Sequence, residues 1–299
     1  MKKLSLLALV ALSFSAFAAP IETSIHKILA PEKGETEYVI LATDGKVYDI
    51  DAKDEELVDL AYEAMETNST ITIDLNNLSI VNGIMNRRKG ISEIQFISNE
   101  VPEFAPMDVE FAPGDTPLTG YTVSTLADMN TAKRYFSTMQ GATKWRSQCY
   151  NRAHVWSYEM KTDHNINTGK MWIFFSAKYI KEYKYKWWFH VAPYVQVATE
   201  REPVVLDREF SRVPQRLTDW KNVYMKNNAT CVNTENYTTY EDNTWNEYCF
   251  LIQSSMYYWQ PFNLENLDKE GTTKSGFVSN ELKRAYSNAI KGRYRRDVD

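Results

Sequence analysis

The 299-residue chain carries 34 Lys and Arg against 39 Asp and Glu, a net charge of −5, with 43% hydrophobic and 13% aromatic residues. The acidic balance argues against general nucleic-acid binding, and the apolar content is ample for a packed core, which excludes a disordered chain. Past the first twenty residues nothing approaches the about 18 consecutive apolar residues of a membrane span.

In chain order, Lys2 and Lys3 precede an apolar run from Leu4 to Phe14, then Ala16-Phe17-Ala18 ahead of Ala19-Pro20. This reads as a secretory signal peptide over residues 1–19, cut after Ala18 or Ala19, and predicts an exported protein, extracellular or periplasmic. Residues 20–98 read as a small α+β unit. Glu37 to Ala42 and Val47 to Ile50 are strands joined by the turn signal Asp44-Gly45. Asp54 to Met65 spaces Leu57, Leu60, Tyr62 and Ala64 as an amphipathic helix with acids in its first turn. Strands follow at Ser69 to Leu75 and Ile91 to Ile97. This unit has no cysteine, and its one histidine, His26, has no neighbour in sequence with which to do chemistry.

Between residues 99 and 120, Pro102, Pro106, Pro113 and Pro117 fall among acids and glycine with no helical period, as expected for an extended linker. Residues 121–299 form the second domain. A helix is expected from about Ser124 to Met139 and another over 149–162, then strands at Met171 to Lys178, Lys186 to Ala198 and Pro203 to Phe210. Past Asp219-Trp220 the chain reads as loop-rich. Cys231 and Cys249 flank a polar excursion and are the natural disulfide of an exported chain, worth roughly 3 kcal/mol in the chain-entropy model. The last element, Asn280 to Arg296, is a helix with a basic end. The aromatic residues, crowded between Tyr135 and Tyr258, fit either a core or an aromatic-lined groove.

With three cysteines and two of them paired, Cys149 is the odd thiol. At the first turn of a helix it meets unsatisfied backbone N–H groups and the positive dipole end, which favour a thiolate nucleophile, and its own N–H can serve a developing oxyanion. Gln148 and Ser147 are candidates for the second donor by adjacency alone. Of the four histidines, His154 lies five residues on, roughly 140° around the helix axis. His164 sits in a polar turn, whereas His190 stands mid-strand in an apolar setting, where a polar ring needs a reason to be. A carboxylate should then fix the imidazole. Asp207, ending the next apolar strand, is favoured over Glu209 and Asp219, although it reads equally well as a turn cap.

Cys149-Tyr150-Asn151-Arg152-Ala153-His154, then the aromatic strand into His190-Val191-Ala192, then the apolar strand ending at Asp207, resembles the secreted bacterial protein-glutamine glutaminases. The order fits, and so does the spacing of 41 and then 17 residues. Val47-Tyr48-Asp49-Ile50 and Ile71-Thr72-Ile73 are similar to the family's pro-region, and Asp219-Trp220 and Cys231-Val232-Asn233-Thr234 to its C-terminal part. The sequence departs in having fewer cysteines and a longer, basic C-terminus. The resemblance implies an α+β fold, with a small α+β pro-domain before a papain-like or transglutaminase-like catalytic domain whose cysteine heads a helix packed on an antiparallel sheet. It further implies that residues 20 to about 115 block the cleft until a maturing protease cuts. The implied reaction is hydrolysis of the side-chain amide of protein- or peptide-bound glutamine by Cys149, His190 and Asp207, with no cofactor and no metal. A thiol protease or a transglutaminase would use the same triad, and an exported binding protein with an inert cysteine is the non-catalytic alternative.

Overall fold

The computed structural model describes residues 21–75 except 33 and 68, residues 80–81, 84–85, 89–96, 116–139 and 148–270 except 228, and positions 282, 285, 286 and 289. The expected signal peptide, almost all of the expected proline-rich linker and the basic C-terminal end lie outside the described residues.

The fold is α+β, in two parts. In the first, β1 (Ile21–Leu29), β2 (Glu37–Ala42), β3 (Val47–Asp51), β4 (Thr70–Leu75) and β7 (Lys89–Phe96) close into a barrel in the order β1-β2-β3-β7-β4, while β5 (Ile80–Val81) pairs with β6 (Ile84–Met85). Helix α1 (Glu55–Glu66) starts where the Asp54 carboxylate accepts from the Leu57 amide, satisfying an N–H left orphaned at any helix start. Its buried Leu57, Val58, Ala61 and Ala64 pack with Ile25, Ile40, Ile50, Ile71 and Ile73. That spacing of three and four is the apolar stripe expected of an amphipathic helix. Strand β1 was not anticipated, because Ile21 to Leu29 alternates weakly.

The second part is a largely antiparallel sheet in the order β12-β11-β10-β9-β14-β13, formed by β9 (Gly169–Phe175), β10 (Phe189–Val197), β11 (Val204–Val205), β12 (Gln215–Arg216), β13 (Cys231–Thr234) and β14 (Cys249–Ser255). Two pairings are parallel: β13 with β14, and β8 (Thr125–Leu126) with the far end of β10. The disulfide between Cys231 and Cys249 joins the facing residues of β13 and β14, with Cα atoms 4.6 Å apart. Helix α2 (Met129–Thr138) begins later than the sequence suggests. Thr125 and Leu126 are taken into the sheet, and Asp128 then caps the helix through the Thr131 amide at 2.7 Å.

Helix α3 (Cys149–His164) is buried continuously from Cys149 to Ser157, so it runs through the protein rather than over its surface. It ends at Asn165, whose left-handed φ of 56° lets its N–H close onto the last turn, as short polar residues do at helix ends. The expected strand Met171 to Lys178 stops at Phe175, because Ser176 caps α4 (Ala177–Tyr183) through the Tyr179 amide. The region read as loop-rich holds α5 (Leu217–Tyr224), α6 (Tyr237–Asp242) and α7 (Pro261–Glu270) besides β13 and β14. Among the described residues no helix is long and apolar enough to cross a membrane.

The two parts touch beside β10. The β2–β3 turn lies against the segment entering that strand: the Val47 amide donates to the Lys186 carbonyl at 2.8 Å and the Trp188 amide to the Gly45 carbonyl at 3.0 Å. The Trp188 indole donates to the Ala42 carbonyl. Gly45 has φ of +83°, and a Cβ there would stand 3.2 Å from the Phe189 ring, so both conformation and space require glycine. His26 corrects the sequence reading, since it does have partners. Its ring stacks on Trp188 with centroids 4.4 Å apart, and its Nε2 lies 2.7 Å from the Tyr237 hydroxyl. Burial lowers the His26 pKa to about 4, so the ring is neutral at physiological pH.

Candidate active site

Three elements meet at one buried point. Cys149 is the first residue of α3, 8% exposed and not disulfide-bonded. His190 is the second residue of β10, opposite Ile173 of β9, and Asp207 follows β11 by two residues. Strand β11 is only two residues long, shorter than expected. The chain nevertheless stays alongside β10, with the Leu206 amide donating to the Pro193 carbonyl at 2.8 Å. This carries Asp207 back to His190. The two are 1% exposed, and His190 Nε2 lies 2.7 Å from Asp207 Oδ2. The Cys149 thiol lies close enough to His190 to act on the charge of its ring. Since Nε2 faces Asp207, Nδ1 is the nitrogen left for sulfur.

Two residues that the sequence did not assign to the site complete it. The Trp220 indole and the Tyr224 hydroxyl donate to the same Asp207 Oδ2 at 2.9 and 2.8 Å. They are four residues apart on α5 and therefore share one helix face. The i, i+4 spacing of Trp220 and Tyr224 was the available signal. The rings of Trp187, Trp220, Tyr224 and Phe210 stand 5.0 to 5.8 Å from the His190 ring. Phe210 is 41% exposed, so this aromatic wall reaches solvent.

Burial alone would favour the neutral forms of both His190 and Asp207. It works against His190, but the Asp207 charge and hydrogen bond, with the adjacent Cys149, raise the imidazole to about 9. Burial works equally against Asp207, and the His190 charge with the donors His190, Trp220 and Tyr224 lowers the carboxyl to about 2. The pair is therefore an imidazolium and a carboxylate at neutral pH. Burial, followed by the adjacent Asp207, raises the Tyr224 hydroxyl strongly, and it remains a donor.

The other candidates lie elsewhere. His154 is fully buried; its Nδ1 accepts from Lys170 Nζ at 2.8 Å, and Lys170 also donates to the Tyr258 carbonyl. Burial and then the Lys170 charge hold His154 well below its usual pKa. His164 Nε2 lies 3.1 Å from the Thr138 hydroxyl at the surface. Glu209 pairs with Arg152 at 4.0 Å, and Asp219 is exposed on α5. Ser147 lies outside the described residues. Among the described residues no group of three His, Cys, Asp or Glu is arranged to hold a metal ion.

A structure of a pro-protein-glutaminase is similar over 93% of this chain and 96% of its own, with 14% identity and a TM-score of 0.47. The solution structure of protein-glutaminase from Chryseobacterium proteolyticum is similar over 60% of this chain and 98% of its own, with 16% identity and a TM-score of 0.35. No match was found among curated proteins. Residues 131–224, which contain Cys149, His190 and Asp207 and both donors to Asp207, match the model of a protein family described as glutaminase.

Proposed function

We propose that the protein hydrolyses the side-chain amide of glutamine within proteins and peptides, giving glutamate and ammonia. The observation that carries this reading is the buried line from Cys149 through His190 to Asp207, inside the segment that matches the glutaminase family. Sulfur attacks the glutamine Cδ, forming a C–S bond. The C–N bond then breaks, and His190 delivers to the leaving nitrogen the proton that came from the thiol. A γ-glutamyl thioester remains. Water activated by His190 attacks it, the C–S bond breaks, and the proton returns to sulfur. Asp207, held by Trp220 and Tyr224, keeps the imidazole in one tautomer and stabilises its charge.

On the same reading the protein is exported, and residues 20–98 are an inhibitory pro-region released by another protease. The support is contact: the β2–β3 turn pairs with residues 186–188, two to four positions before His190, and His26 stacks on Trp188. One assay tests both parts, measuring ammonia released from a denatured protein, a glutamine peptide and free glutamine, before and after limited proteolysis. Release from protein and peptide, with a mass gain of about one dalton and no fragmentation, is expected, and it should rise on cutting. Fragmentation without ammonia would make the protein a thiol protease. Equal activity of intact and cut chains would remove the pro-region.

A further inference from the structure

The helix that carries Cys149 begins in an unusual way. Its N-cap is Gln148, whose side chain makes no hydrogen bond to the first-turn amides, although an N-cap of Ser, Thr, Asp or Asn would stabilise the helix there by about 1 kcal/mol. The Gln148 carbonyl oxygen is engaged elsewhere, accepting from Asn151 Nδ2 at 2.7 Å. Asn151 is completely buried, and its own Oδ1 accepts from the Trp259 indole at 3.1 Å. Trp259 is fixed in turn: its backbone amide and that of Gln260 both donate to Asn263 Oδ1, at 3.1 and 2.8 Å.

This relay has a direction. An indole N–H only donates, so Asn151 must turn its oxygen to Trp259 and its nitrogen to Gln148. Gln148 must then offer its oxygen to Asn151, which leaves its Nε2 as the outward end. Among the described residues no acceptor takes that nitrogen. A buried tryptophan thereby fixes the sense of two amides and holds an N–H donor on the residue immediately before the nucleophile. We propose that Gln148 Nε2 is the side-chain donor to the tetrahedral oxyanion, acting with the backbone N–H of Cys149, and that Asn151 and Trp259 are positioning residues for it. The inference rests on the proposed amide hydrolysis and adds to it the donor that stabilises the intermediate.

Two near-isosteric variants test the relay, each assayed in whichever form of the chain, intact or cut, is the more active as wild type. Gln148→Glu keeps the oxygen facing Asn151 but replaces the donor by an acceptor. Asn151→Asp presents oxygen to both neighbours, so Gln148 must turn its nitrogen inward and its oxygen to the site. Both are expected to lower kcat by about 10²- to 10³-fold, with KM within about threefold of wild type. A peptide with glutamate γ-semialdehyde in place of glutamine, whose side-chain aldehyde forms an adduct with the thiol that carries the oxygen in the tetrahedral position, should lose affinity by a similar factor. The unreactive peptide should not. A kcat and an aldehyde affinity both within about threefold of wild type in Gln148→Glu would overturn the assignment. Lack of ammonia release by the wild type counts against the proposed function instead, and the aldehyde titration still reads the donor directly.

Discussion

Cys149→Ala is expected to reduce ammonia release by on the order of 10⁴- to 10⁶-fold, as loss of the nucleophile does in other triads. The fold should survive, because the change removes one sulfur from a site lined by rigid aromatic rings and leaves the His190–Asp207 pair intact. Circular dichroism and a thermal melt check that survival. Cys149→Ser, which keeps a hydrogen-bonding group beside His190, should be comparably inactive, separating nucleophilicity from packing. Full activity in a folded Cys149→Ala would end the triad reading, and the chain would be better described as a binding protein.

Asp207→Asn has the second largest expected effect, and it acts on pH as well as rate. In the wild type, Asp207 outweighs burial and raises His190 to about 9. Without the charge, burial is opposed only by the smaller contribution of Cys149, and the imidazole should fall toward or below the ordinary value of about 6.5. The alkaline limb of kcat/KM should move down accordingly, and kcat should drop by about 10²- to 10⁴-fold. NMR titration of His190 measures the shift, and a limb that stays in place would dissociate the pair from activity. Stability follows by linkage. The raised His190 contributes stability that is full below its unfolded value and lost as pH rises through about 9. The lowered Asp207 contributes stability that is present above its unfolded value and lost as pH falls through about 2. In the variant the alkaline loss should vanish. Asp207→Ala, which leaves His190, Trp220 and Tyr224 without their shared acceptor, should cost about 3–5 kcal/mol.

The parts of this fold legible in the sequence are those written in local pattern. Glu37 to Ala42 is a short apolar run before a turn signal and is a strand, and Asp54 heads α1 where a capping residue precedes an amphipathic run. His190 stood out as a polar ring in an apolar strand, and the structure brings it together with Cys149 and Asp207. What escaped notice depends on distant residues or weak signals. The Tyr237 partner of His26 is 211 positions away. Helix α5 follows Arg216 without a side-chain cap, so only the i, i+4 aromatic spacing hinted at the helix that aims Trp220 and Tyr224 at Asp207. Thr125 and Leu126 look helical until β10 offers them a parallel neighbour.

The short ladder between the β2–β3 turn and residues 186–188 also bears on how tightly an inhibited form could be held. It ties down the amides of Val47 and Trp188 with single backbone hydrogen bonds, and such a contact opens at a free energy below that of global unfolding. Hydrogen exchange at the Trp188 amide therefore counts the moments when the two parts separate. On the proposed arrangement the same opening sets the leak of the uncut chain: a cost of about 2.7 kcal/mol leaves roughly 1% of molecules open at any instant. The activation ratio on cutting and the protection factor of one amide proton would then be two readings of a single equilibrium.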